Sequence, residues 1–260
     1  MPYETLLLEV EEAIATITLN RPQVLNALNA QLFTDLDAAI TTLSSNAEIR
    51  AIILTGAGEK AFAAGADISE LAQTDATTGE TLALRGQAVF THIETCGKPV
   101  IAAINGFALG GGCELALACT LRLASETARI GQPEVKLGLL PGYGGSQRLP
   151  RLIGPSAALK LLLTGDMIPA PEALRLGLVD DIHPPANLLP AALALAKKIA
   201  AQAPLAVQAC LEAVHQGADL PLNKALALEA HLFGRLSATE DKKEGTAAFL
   251  AKRPPTWTGR

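Results

Sequence analysis

Two glutamates stand where a charge has no obvious partner: Glu114, directly behind the triple glycine of Gly110-Gly111-Gly112-Cys113-Glu114, and Glu134, in Gly131-Gln132-Pro133-Glu134. An apolar setting raises a carboxyl pKa toward the range where it can exchange protons near neutral pH. Paired acid/base chemistry is the reading these two residues invite. Two further segments carry a chemical message. Ala64-Gly65-Ala66-Asp67-Ile68 follows one buried strand, and Ala108-Leu109-Gly110-Gly111-Gly112 follows another and opens a helix. Small residues let backbone approach a ligand closely, so two amides from two strand ends outline an oxyanion hole. The alternative is that these glycines only make tight turns.

The elements that must position these residues alternate between strand and helix. Ala13–Leu19 reads as a half-buried strand stopped by Asn20-Arg21-Pro22, and Ala51–Thr55 is an apolar run of the kind covered on both faces. Between them Leu32, Phe33, Leu36, Ile40 and Leu43 recur at helical spacing behind Asn29, a suitable N-cap. A helix ending near Cys96, a buried strand over Pro99–Ile104, a short helix from about Gly112 to Cys119, and strands at Leu121–Ala124 and around Ala128–Gly131 continue the pattern. The sequence therefore predicts a layered α/β core. From Asn187 onward the pattern is helical, so we place a boundary near residue 195: a core over 1–195 and a helical region over 196–260. That region is too small to bury its own Ala- and Leu-rich faces, which leads us to expect docking on a neighbouring subunit.

Composition narrows the function. The 260 residues are 49% hydrophobic and carry a formal net charge of −5, and no apolar run reaches the ~18 residues of a membrane span. We expect a soluble cytoplasmic protein without a nucleic-acid partner; with aromatic content of 3% it has few stacking platforms. The four cysteines, Cys96, Cys113, Cys119 and Cys210, have neither disulfide-scaffold density nor zinc spacing, and Cys113 reads as a buried structural thiol. Gly56-Ala57-Gly58-Glu59-Lys60-Ala61 matches the glycine spacing of a dinucleotide fingerprint, but no long helix follows it and it reads as a turn.

Several long motifs occur in one order: Phe62–Ile68, Ile101–Glu114, Gly131–Glu134, Leu139-Leu140-Pro141-Gly142-Tyr143-Gly144-Gly145-Ser146-Gln147-Arg148-Leu149 and Glu244–Arg253. Together they resemble the enoyl-CoA hydratase (crotonase) family over nearly the whole chain. The resemblance implies an α/β spiral of repeated ββα units with a helical carboxyl-terminal region that builds homotrimers, usually paired into homohexamers. It implies an acyl-CoA thioester substrate, with the backbone N–H groups of Ala66 and Gly111 on the thioester oxygen, Glu114 as general base and Glu134 as general acid for hydration. It places Ala64, Asp67, Ile68 and Ser69 along the CoA-binding segment, Phe249 and Lys252 near the nucleotide end, and Tyr143, a departure from the small residue usual there, near the acyl pocket. No cofactor or metal is implied, since the substrate carries the CoA. Retention of both acids favours hydration over isomerisation; an isomerase, or a non-catalytic relative such as an RNA binder, is the alternative.

Overall fold

Alternation of large apolar with small or polar residues marks the strand over Ile14–Leu19. In a computed structural model, which describes residues 3–260, β1 (Leu6–Glu11) and β2 (Ile14–Leu19) form an antiparallel pair with Leu6 opposite Leu19. The next element, α1 (Ala30–Ser45), starts at Asn29, whose side chain accepts a hydrogen bond from the Leu32 amide at 3.0 Å. Its buried face holds the set read from the sequence, Leu32, Phe33, Leu36, Ile40 and Leu43, together with Asp35 and Ala39.

A strand, a second strand and a helix then recur. The first unit is β3 (Ala51–Gly56) and β4 (Ala61–Ala63), followed by the single turn α2 (Ile68–Leu71) and the long α3 (Ala76–Thr95). The second is β5 (Val100–Ile104), β6 (Phe107–Leu109) and α4 (Gly111–Leu117). The third is β7 (Leu121–Ser125) and β8 (Arg129–Gly131), a 3-10 turn over Glu134–Leu137, then α5 (Gly145–Ile153) and α6 (Pro155–Thr164). In each unit the first strand joins a six-stranded sheet of order β1-β2-β3-β5-β7-β10 and the second a four-stranded sheet of order β4-β6-β8-β9. The last strands of these sheets are β9 (Met167–Pro169) and, after α7 (Ala170–Arg175), β10 (Asp181–His183). The repetition is the ββα spiral expected from the resemblance.

The remaining helices are α8 (Pro185–Ala200), α9 (Pro204–Gly217), α10 (Leu222–Ser237) and α11 (Glu240–Ala251). The boundary drawn at residue 195 falls inside α8 and needs correcting. Leu188, Ala192 and Ala196 of α8 pack into one cluster with Ile14, Ile53, Ile101 and Leu123 of the large sheet, so this helix is part of the core to its last turn. Ala- and Leu-rich composition made α8 resemble the helices after it; burial distinguishes them. On α9 to α11, Val214, Leu222, Leu226, Phe233, Phe249 and Leu250 are exposed. No single helix among the described residues is long and apolar enough to cross a membrane.

Candidate active site

The site forms where β4 and β6, neighbours in the small sheet, run out side by side. Each strand ends in a glycine with positive φ, Gly65 at +97° and Gly110 at +51°, which an L side chain rarely adopts. A Cβ on Gly110 would lie 2.9 Å from Glu134 Oε1, so a side chain there would displace that carboxyl. Beyond Gly65, Leu28 pairs with the chain on one side only: its amide donates to Gly65 O at 2.8 Å and its carbonyl accepts from the Asp67 amide at 2.8 Å. Successive residues of an extended chain point their amides to opposite sides, so the Ala66 N–H faces away from Leu28. Gly111 opens α4, and its amide precedes any intrahelical acceptor. Neither the Ala66 nor the Gly111 N–H donates to a protein acceptor among the described residues.

Both residues line a cleft of about 1030 Å³ together with Ala64, Glu114, Glu134 and Tyr143. Glu114 lies in the first turn of α4 and is 1% exposed. Its Oε1 accepts two backbone hydrogen bonds from the loop entering α5, from Tyr143 at 2.8 Å and Gly145 at 2.7 Å. One oxygen is thereby anchored, and the other makes no hydrogen bond to the described residues. Gly145 must be glycine here, since a Cβ would sit 2.9 Å from Glu114 Cγ. Burial pushes the Glu114 carboxyl up to about 7, the charge of Glu134 adding to it against the two amide bonds.

Glu134 starts the 3-10 turn after β8 and is half-buried. Burial pushes its carboxyl up to about 7 as well. The Gln132 side chain, 1% exposed, lies against it; with its amide nitrogen toward Glu134, the orientation that satisfies both ends of the amide, Nε2 donates to Oε1 at 2.9 Å and to Oε2 at 3.2 Å. The charge of Glu134 opposes ionisation of Glu114, which favours a state at neutral pH in which one of the two carboxyls keeps its proton. Beside two unpaired amides, that pair can accept a proton at one place and deliver one at another while an oxyanion is held.

The other residues singled out from the sequence divide. Ala64 and Ile68 line the cleft, Ile68 with more than half its side chain exposed. Asp67 and Ser69 do not line it: the Asp67 carboxylate caps α2 by accepting from the Ser69 amide at 3.2 Å and hydroxyl at 2.6 Å, and pairs with Arg21 at 3.1 Å. The Ser69 hydroxyl first, then Arg21, hold the Asp67 pKa below the ordinary carboxylate range. Phe249, 84% exposed, and Lys252, at the end of α11, are not brought to the cleft of their own chain. Cys113 is buried, and burial pushes its thiol pKa far up, as suits a structural thiol. Sequence reasoning passed over Gln132 and the amides of Tyr143 and Gly145. Gln132 was legible as a polar residue two positions before Glu134; the amides carry no side-chain signal.

Residues 9–260 match the profile of the enoyl-CoA hydratase/isomerase family. The chain is 46% identical over 253 residues to the short-chain-enoyl-CoA hydratase of Clostridium acetobutylicum, covering 97% of each protein. It is 51% identical over 253 residues to a probable enoyl-CoA hydratase of Rhizobium meliloti, again over 97% of each. The crystal structure of the enoyl-CoA hydratase from Bacillus anthracis superposes with a TM-score of 0.96 at 40% identity, covering 99% of this chain and 100% of that one. A match of that extent in sequence and in fold makes this chain a member of the enoyl-CoA hydratase/isomerase family.

Proposed function

We propose that this protein is an enoyl-CoA hydratase, adding water reversibly across the 2,3 double bond of a trans-2-enoyl-CoA to give the 3-hydroxyacyl-CoA. The observation that carries this is the pair of cleft-facing carboxyls, Glu114 and Glu134, both raised to about 7 beside two free backbone amides. The thioester oxygen accepts hydrogen bonds from the Ala66 and Gly111 N–H groups, which draws electrons from C3 and stabilises the enolate. The free oxygen of the Glu114 carboxylate takes a proton from water as the water oxygen bonds to C3. The π electrons move toward C1, and the carboxylic acid of Glu134 delivers its proton to C2 as the enolate collapses. In dehydration the roles reverse. Atoms and charge balance without a further cofactor, the CoA arriving with the substrate.

Retention of both carboxyls in one cleft favours hydration over isomerisation, which needs only one proton carrier and the oxyanion site. The small-residue segment Ala64–Ile68 flanks the thioester, with Asp67 and Ser69 shaping the turn that borders the CoA. Phe249 and Lys252, as CoA contacts, serve the cleft of a neighbouring copy. The exposed apolar side chains of α9 to α11 support a homotrimer or homohexamer, and the four free cysteines support a reducing, cytoplasmic setting. Glu114→Gln and Glu134→Gln test the roles: each is expected to lower kcat on crotonyl-CoA by roughly 10²–10⁴-fold with little change in acyl-CoA affinity. A variant that hydrates crotonyl-CoA at the wild-type rate would remove that glutamate from the mechanism.

A further inference from the structure

Gly86 lies in the middle of α3, a helix of 20 residues, where glycine weakens the helix relative to alanine. Its backbone is ordinary helix and asks for no glycine. The Tyr143 ring does. A Cβ on Gly86 would overlap Tyr143 Cδ1 and stand 2.6 Å from Cε1 and 2.8 Å from Cγ. On the opposite edge of the ring, a Cβ on Gly111 would be 3.1 Å from both Cδ2 and Cε2. Phe33 and Phe90 close the remaining sides in edge-on contacts, with centroids 5.2 and 5.8 Å away at 73° and 81°. Tyr143 is 5% exposed and lines the cleft.

Tyr143 therefore belongs to the site twice. Its backbone amide holds Glu114 Oε1. Its side chain fills the space behind Gly111, the residue whose amide is assigned to the thioester oxygen. An acyl chain with its carbonyl at that amide and C3 at Glu114 has the Tyr143 ring immediately beyond its reacting carbons. We propose that Tyr143, seated in the notch that Gly86 leaves in α3, is the end wall of the acyl pocket and restricts the enzyme to short 2-enoyl groups, with residues 86 and 143 acting as a pair. This rests on the hydration reading above for the placement of the acyl group. The ring, fixed on four sides, cannot swing aside for a longer chain, and the hydroxyl is not what does the excluding.

The test compares kcat/KM for crotonyl-CoA and trans-2-decenoyl-CoA. Wild type is expected to prefer crotonyl-CoA by ~10-fold or more, the scale of methylene groups that a pocket cannot place. Tyr143→Ala is expected to move that ratio ~10-fold or more toward the longer substrate, and Tyr143→Phe to retain the wild-type ratio. Should Tyr143→Ala fail to fold, Tyr143→Leu, which keeps more of the packing against Phe33 and Phe90, carries the same comparison. Gly86→Ala is expected to lower the thermal midpoint of wild type more than that of the Tyr143→Ala protein, where no ring opposes the added methyl. Equal use of both substrates by wild type, or an unmoved ratio in the folded Tyr143 variants, would overturn the proposal. If wild type hydrates neither substrate, the hydration reading falls, and the wall is judged on calorimetric affinities for butyryl-CoA and decanoyl-CoA. The same ratio shift there upholds it and its absence overturns it.

Discussion

At Glu114 two opposed effects meet: burial lifts the carboxyl, while the amides of Tyr143 and Gly145 hold one oxygen and favour its ionised form. Burial wins, and Glu134 sits at about the same value, so the pair exchanges protons close to neutral pH. Activity needs one carboxylate and one carboxylic acid. A bell-shaped kcat/KM profile is therefore expected, falling on the acid side as the base is protonated and on the alkaline side as the acid is lost. A profile flat across pH 5–9 would contradict the pairing. Stability responds with a definite sign. A carboxyl raised from 4.5 to about 7 in the folded state binds more protons than the unfolded chain between those values, so it destabilises the fold progressively as pH rises through that window. Glu114→Gln keeps the acceptor for the two amides and removes the buried charge. Its thermal midpoint is expected to exceed that of wild type above pH 7 and to approach it at pH 5, as calorimetry would record. The glutamates were legible in the sequence because a charge amid glycine and apolar residues is conspicuous. The amides that orient Glu114 were not, because any residue type supplies an N–H.

Among the elements, several of ordinary length could be read, whereas of the three-residue strands only β8 was. Asn29 at the start of α1, the run of β3 and the end of α3 near Cys96 all follow from side-chain periodicity and caps. The strands β4 and β6 are too short for alternation to register, so only the small residues after them, with an oxyanion hole or tight turns as the two readings, marked the place. Yet these two strands deliver Ala66 and Gly111 to the cleft. Their spacing from α4 is set by Gly112, where a Cβ would overlap the Ala63 carbonyl oxygen of β4. Gly112→Ala must push α4 away from β4, and overpacking of this kind costs about 1–3 kcal/mol. Denaturant unfolding is expected to show that loss, and kcat to fall as well, because α4 carries both the Gly111 amide and Glu114. An unchanged midpoint with full activity would mean that α4 and β4 are not in register-determining contact.

Over the whole molecule, the ββα spiral was implied by the resemblance of several motifs, while the boundary near residue 195, drawn from the helical pattern after Asn187, cuts through α8. α8 and α9 are both Ala-rich with few polar residues; packing shows that α8 covers the large sheet and that α10 and α11 leave Phe233, Phe249 and Leu250 outward. Light scattering at micromolar concentration is expected to give three or six times the 27.0 kDa chain mass, and a chain that stays monomeric would remove the subunit contact from the reading. The most direct measurement of the central claim is the fate of crotonyl-CoA mixed with the purified protein. The absorbance of the conjugated thioester is expected to decay to an equilibrium with 3-hydroxybutyryl-CoA as the product, and to stay nearly constant with the folded Glu114→Gln protein. Persistence of that absorbance with the wild type, or its loss at the same rate with Glu114→Gln, would contradict hydration by this pair of carboxyls.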